Sequence, residues 1–416
     1  MTAFRMAKAA LLLFAFSLFW IKDPLIIGGL GAVPADLIFL AMASLFGVAW
    51  VTGEARLRWS SGFVPLAIYL GALAISTIFS FDRGTSAFKL ATEAYLIGIP
   101  VLVYHLVETW EDLESLFVAY IAGAAIVALI GVGTLLLFPF FGYHSFLAGP
   151  LHHFGTLPPG PYPRLEVTFE FPAMMANFLA LATMLLILAE SRAWVSTPVA
   201  WLLGACMLLT ALFALTPGFG GLLFMLGVWF WSAKRGTPLG RLFLCAGVSA
   251  GVLGALVAAV TPILHRTAPF LISIPGLPVP LAPAVRLLVW IDAVRTFLAH
   301  PLAGIGIGVD PVHVPYVNPS GEFTIVTDAH NMPLSIAAQT GILGVAGMAA
   351  IICFALREMR RAHGFPFGLS LAFVSGLLVE GLVGSFEDAR HLWLAYGLIL
   401  SARKLEHRDQ PVPKAM

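Results

Sequence analysis

Apolar runs of about 20 residues, the length a helix needs to cross hydrocarbon, recur along the whole chain. They fall roughly at 5–21, 33–52, 62–80, 87–107, 116–140, 172–190, 194–215, 218–233, 240–262, 331–355, 366–384 and 388–403. Too little polar sequence separates them to clothe a water-soluble core. Charged residues make up 11% of the chain and hydrophobic residues 59%, against about 25% charged in a soluble domain. The pattern predicts an all-α polytopic membrane protein with about 12 transmembrane helices, one membrane domain over 1–416 with lipid as its outer solvent. The first run is expected to be a membrane helix rather than a signal peptide, because Lys22-Asp23-Pro24 ends it without a small-residue cleavage site.

The net charge of +1 and the lack of any Lys/Arg run argue against nucleic acid as a partner. Cys206, Cys245 and Cys353 lie in apolar stretches without CxxC spacing, so neither a disulfide framework nor a zinc site is expected. Charge also orients the chain. With a cytoplasmic N-terminus, 15 of the 23 Lys and Arg residues fall on inside segments and 8 on outside ones, as the positive-inside rule requires. Both termini are then inside. Two long outside segments follow, at 141–171 and 263–330, and the second separates spans 9 and 10.

The second segment holds the chemistry. Pro283 to Phe297 reads as a helix with proline at its start. Arg286, Trp290, Ala293 and Phe297 share one face at i, i+4, i+7 and i+11. Arg295 points elsewhere and has Asp292 one turn back as a partner, whereas Arg286 has no such neighbour in sequence. Arg286 is thus either an anion-binding arginine or one that snorkels to the interface. Gly304-Ile-Gly306-Ile-Gly308 lies in no strand–helix unit, so it is not a dinucleotide fingerprint; its glycines suit a tight re-entrant path or close packing on helices. Next come Asp328-Ala-His330-Asn331-Met-Pro333. Proline fits the first turn of a helix, which makes Asn331 the expected N-cap and sets His330 just before the helix. The positive end of that helix favours a neutral imidazole, able to act as a general base; a histidine that only bonds loop backbone is the plainer alternative. Gly341 and Gly344 follow on the same expected helix, where small residues let a neighbour approach.

The segment His330-Asn331, nine residues, then Gly341-Ile-Leu-Gly344 resembles the signature of the O-antigen ligase family, His-[Asn/Ser/Gln]-x9-Gly-x2-[Gly/Thr/Tyr], at every defined position. Arg286, Trp290, His300-Pro301 and Gly304-Ile-Gly306 look like the lead-in to that signature in the ligase and polymerase superfamily. Phe386 to Trp393 looks like its last outside turn. The likeness spans roughly 160–400, with specific motifs only at 286–344. The chain departs from the pattern at Leu215-Thr216-Pro217-Gly218-Phe219-Gly220, where members usually carry a Ser-Arg-Gly-like element whose arginine is thought to help hold the donor pyrophosphate. Arg164 and Arg390 are the outside arginines that could substitute.

The resemblance implies a glycosyltransferase of the bacterial inner membrane with its site facing the periplasm. Such an enzyme moves a glycan from undecaprenyl pyrophosphate to a sugar hydroxyl of lipid A–core, inverting the anomeric carbon. It implies His330 as the base and Arg286 as the pyrophosphate clamp. Asn331, Trp290, Arg164 and Arg390 are the implied substrate contacts. No DxD motif is present, which favours a metal-independent route without a cofactor, although Glu166, Glu170, Asp310 and loop histidines His144, His152 and His153 supply possible ligands. Within the superfamily a polymerase, joining lipid-linked repeats, is the alternative, and an oligosaccharyltransferase a lesser one. A lipid-linked glycan flippase is the reading from another class, and mid-membrane Glu93 and Glu380 are its only support.

Overall fold

A computed structural model of the protein describes residues 2–22, 24–27, 30–143, 145–152, 162–233, 238–262, 281–317, 323–361, 364–382, 384–386 and 388–409. It is built almost entirely of helices: α1 (Ala3–Ser17), α2 (Pro34–Val51), α3 (Phe63–Ile78), α4 (Arg83–Leu106), α5 (Trp110–Phe141), α6 (Pro172–Ser191), α7 (Thr197–Leu212), α8 (Gly218–Ala233), α9 (Pro238–Ala259), α10 (Val285–Ala299), α11 (Met332–Arg361), α12 (Phe365–Val374) and α13 (Arg390–Asp409). Each of the twelve apolar runs coincides with one of these helices, and α10 is the helix expected within 263–330. Among the described residues, five helices are long and apolar enough to cross a membrane: α2, α4, α5, α6 and α11. Shorter apolar helices include α3, α7, α8 and α9.

The surface explains where the polar skin went. Leu40, Ile68, Leu129, Trp201 and Leu242 are exposed on helix faces, which in water would be a large apolar patch. The interior is equally apolar. From Met175 to Ala189, α6 is buried on nearly every side, the mark of a helix surrounded by others. Small residues bring the helices close. A Cβ at Gly347 of α11 would stand 2.8 Å from the Cα of Tyr69 in α3, and one at Gly247 of α9 only 2.4 Å from the backbone nitrogen of Phe224 in α8.

Among the described residues, three short antiparallel ribbons depart from the all-helical expectation: Leu25–Ile27 with Leu30–Ala32, Val260–Pro262 with Leu281–Pro283, and Val314–Val317 with Phe323–Val326. They are rich in Val, Ile, Leu and Thr between turns, where extended pairing satisfies backbone groups that no helix takes up. The second ribbon pairs Val260 with Pro283, so the chain returns to the end of α9 immediately before α10 begins.

One expectation is corrected. The helix after Asn331 does not run straight through Gly341. That residue has φ 63° and ψ −162° and breaks α11 in two. The Pro301–Gly308 segment enters the break. Ile342 and Leu343 donate their N–H groups to the carbonyls of Pro301 and Leu302 (2.8 and 3.4 Å), while Ile305 and Gly306 donate to the carbonyls of Ala338 and Gln339 (3.1 and 2.9 Å). The Gln339 side chain accepts from the Gly308 N–H at 2.7 Å. The backbone groups freed by the break are thereby re-satisfied, as a chain surrounded by apolar matter requires. Gly304, Gly306 and Gly308 all have positive φ, and a Cβ at Gly304 would lie 2.2 Å from the Gln339 carbonyl carbon. The triple glycine is the wedge that fits this break.

Candidate functional site

The site forms where α8 and α11 begin. Asn331 caps α11: its Oδ1 accepts from the Leu334 N–H at 3.1 Å, leaving its Nδ2 to donate to the Leu382 carbonyl at 2.9 Å. The Met332 N–H donates to the carbonyls of Gly381 and Gly384 (2.8 and 3.0 Å). The loop after α12 therefore holds the first turn of α11 from beneath.

His330 precedes the cap with φ 47°, a conformation that costs a non-glycine residue about 1–3 kcal/mol and gathers at functional sites. Asp328 is the reason it persists. Its Oδ1 accepts from the His330 backbone N–H at 2.9 Å, and its Oδ2 lies 3.1 Å from the imidazole Nδ1. The Ser385 hydroxyl donates to the same carboxylate at 2.8 Å. A carboxylate at Nδ1 requires the proton there, which fixes the tautomer and leaves Nε2 as the basic nitrogen. The His330 side chain is 40% exposed. Partial burial alone would raise the Asp328 carboxyl, but the hydrogen bonds from His330, the charge of that ring when protonated, and the Ser385 hydroxyl outweigh it and hold the group at about 2.

Arg286 stands on α10, whose Val289 and Ala293 are buried against Val312, Val314, Ala329 and Ala338. Burial pushes the guanidinium below its ordinary value, and the Asp328 charge opposes that shift. Asp328 is thus bonded to His330 and lies within the electrostatic reach of Arg286. Two readings made along the helix change here. Arg286 does have an acidic neighbour, contributed from 42 residues on in sequence. Asp292 does not pair with Arg295; it accepts from the His313 N–H at 2.9 Å instead. The indole N–H of Trp290 is buried without a hydrogen-bond partner among the described residues.

The two substitute arginines fare differently. Arg164 donates from Nε to the Ala214 carbonyl at 3.2 Å, at the end of α7 and directly before Leu215–Gly220. Burial lowers its pKa, and the nearby charge of Arg286 lowers it further. Arg164 therefore sits beside the segment that lacks an arginine and within range of Arg286. Arg390 binds Asp36 through Nε and a terminal nitrogen (2.7 and 2.9 Å) and the Tyr95 hydroxyl at 3.0 Å. That cluster ties α13 to α2 and α4, and it does not join Arg286 and His330. Glu166 is engaged by Lys22 and His152. Among the described residues no three His, Cys, Asp or Glu groups gather as a metal site; His144 and His153 lie outside those residues.

Sequence reading assigned no role to Asp328 or Ser385. Asp328 carried a local signal, an acidic residue two positions before a histidine. Ser385 carried none, because only the fold brings it there. No protein-family model matches the chain, and no curated protein matches it.

Proposed function

We propose that the chain is an O-antigen ligase-like glycosyltransferase that moves a glycan from polyprenyl pyrophosphate to a hydroxyl of lipid A–core. The observation that carries this reading is the Asp328–His330 pair with Arg286 in the field of the same carboxylate. The orientation comes from the charge pattern. That pattern supports about twelve spans with both termini inside, an orientation in which this end of the bundle faces the periplasm.

In the reaction, the acceptor hydroxyl gives its proton to Nε2 of His330 as its oxygen bonds the anomeric carbon. The bond from that carbon to the pyrophosphate oxygen breaks, with inversion. Asp328 holds the imidazole in the basic tautomer and stabilises the imidazolium that forms. Arg286 and Arg164 meet the charge that grows on the leaving pyrophosphate, for which planar guanidinium groups are suited. Both substrates are membrane-anchored, so holding them at one depth supplies much of the acceleration.

Deletion of the gene followed by a lipopolysaccharide gel tests the reading. Core without long chain is the expected result. Core bearing a single repeat would reassign the enzyme as a polymerase, and an unchanged pattern would reject both.

A further inference from the structure

Glu380 lies next to the residues that hold the site, and the reaction assigns it no work. It ends a π-helical turn, Ser375–Glu380, that continues α12. Such turns are rare and are frequent at functional sites, because the extra residue re-aims a side chain. Glu380 is 1% exposed, and neither carboxylate oxygen has a hydrogen-bond partner among the described residues at normal distance.

Its side chain is seated on the first turn of α8. A Cβ at Gly218 would stand 3.0 Å from Oε2, and one at Gly221 would stand 2.7 Å from Cγ. The Thr216 hydroxyl, also buried and unpartnered, lies 3.3 Å from the same Gly218 position. Two glycines one turn apart thus form a cradle that no larger residue could leave open. From α6, the Asn177 amide stands beside the carboxyl. It already donates to the Gly376 carbonyl at 3.0 Å and meets Nε2 of His391 at 2.8 Å.

The charges around the cradle are few. Neither α8 nor α12 has an ionisable side chain within its helix, and Glu190 lies at the far end of α6. His391 of α13 stands behind Asn177, and Arg164 is held on Ala214. Among the described residues no cation touches the carboxyl, and the nearby Asn177 amide is already engaged by Gly376 and His391, so a bare carboxylate would be left uncompensated in apolar surroundings. The group is therefore the neutral acid.

The residues that follow Glu380 hold the site. Gly381 and Leu382 supply the carbonyls that receive Met332 and Asn331, and Ser385 donates to Asp328. On the other side of the cradle stand Thr216 and Arg164. We propose that Glu380 is a positioning residue: seated as a neutral acid in the glycine cradle of α8, it fixes the spacing between the α8 entrance beside Arg164 and the residues Gly381, Leu382 and Ser385, which hold Met332, Asn331 and Asp328 next to His330. This role rests on the transferase reading of the site, but the seat itself can be tested without it.

The test compares the full chain with E380Q and E380A in phosphatidylethanolamine and phosphatidylglycerol bilayers. Infrared difference spectra at neutral pH should show the C=O stretch of a protonated carboxyl in the wild type that E380Q lacks. Hydrogen exchange in 218–225 and 331–340 should match between wild type and E380Q and quicken about tenfold in E380A, as local opening does when a seat is lost. Transfer should survive in E380Q, whereas in E380A turnover should fall about 100-fold with donor KM little changed, since misplaced groups lose rate before affinity. No carboxyl band specific to Glu380, or exchange in E380A equal to the wild type, would overturn the proposal. So would E380Q behaving like E380A. A wild type that shows the band and the exchange pattern but transfers nothing would refute the transferase reading alone.

Discussion

Gly341→Ala should destabilise the protein far more than a glycine-to-alanine change in a helix normally does. With φ 63° and ψ −162°, Gly341 occupies a region that is essentially glycine-only, where a side chain costs about 1–3 kcal/mol. The added Cβ would also stand 2.3 Å from the Leu302 carbonyl oxygen and 2.7 Å from the Ala303 nitrogen. These are backbone atoms of the wedge and cannot rotate away. Displacing the wedge strains the four backbone hydrogen bonds that seal the break, each worth about 1 kcal/mol net and more if its groups are left buried and unpaired. Losing two of them with the strain gives about 4 kcal/mol. The matched control is Gly133→Ala in α5, where a Cβ meets nothing within 4 Å. Thermal unfolding of both variants in the same detergent should lower the midpoint by roughly 5 °C or more for Gly341→Ala, at a few degrees per kcal/mol, and leave Gly133→Ala at or above the wild type. Equal midpoints for the two would refute the wedge as the element that seals α11.

Other consequences concern the site. Asp328→Asn removes the group that fixes the His330 tautomer, so turnover should fall about 100-fold or more in a steady-state transfer assay, with acceptor KM little changed. The pH dependence of stability carries a definite sign. The folded-state Asp328 carboxyl, at about 2, lies below its ordinary value of 3.8, so its contribution is complete above about pH 4 and fades as pH falls toward 2. The side chain is 46% exposed, and solvent screening reduces that contribution to about 1 kcal/mol; the advantage of the wild type over Asp328→Asn in thermal scans should shrink through that window. Arg164→Ala should raise donor KM in transfer kinetics, whereas Arg390→Ala should cost about 2 kcal/mol of stability through the loss of charged hydrogen bonds to Asp36 and leave donor KM unchanged.

Much of the helical frame was legible because its cause is local. A run of apolar residues near 20 has few alternatives to a helix, and proline in the first turn marked the start of α11 in sequence. Asn331 as the cap of α11 was legible for the same reason: its geometry depends on three neighbouring residues. The break at Gly341 was not. Glycine is tolerated in membrane helices, and only the arrival of Pro301–Gly308 from another part of the chain turns this one into a gap. The partners of the arginines were hidden likewise. Asp292 was the obvious neighbour of Arg295 by helical spacing, yet the fold offers it the His313 N–H. Arg390 and Arg164 were equivalent as outside arginines. Asp36 and Tyr95, more than 290 residues away from Arg390 in sequence, separate their roles. Glu380 read as a stray mid-membrane carboxylate, because only the fold seats it on Gly218 and Gly221.

The central claim is that His330, aligned by Asp328, takes the proton of an acceptor hydroxyl as a glycan leaves polyprenyl pyrophosphate. The most direct measurement reconstitutes the purified chain with a radiolabelled undecaprenyl-pyrophosphate glycan and lipid A–core, and follows both products. The account predicts glycan on lipid A–core and free undecaprenyl pyrophosphate in equal amounts, with neither formed by the His330→Ala variant. Transfer by that variant at the wild-type rate, or release of undecaprenyl pyrophosphate without glycosylated acceptor, would contradict it.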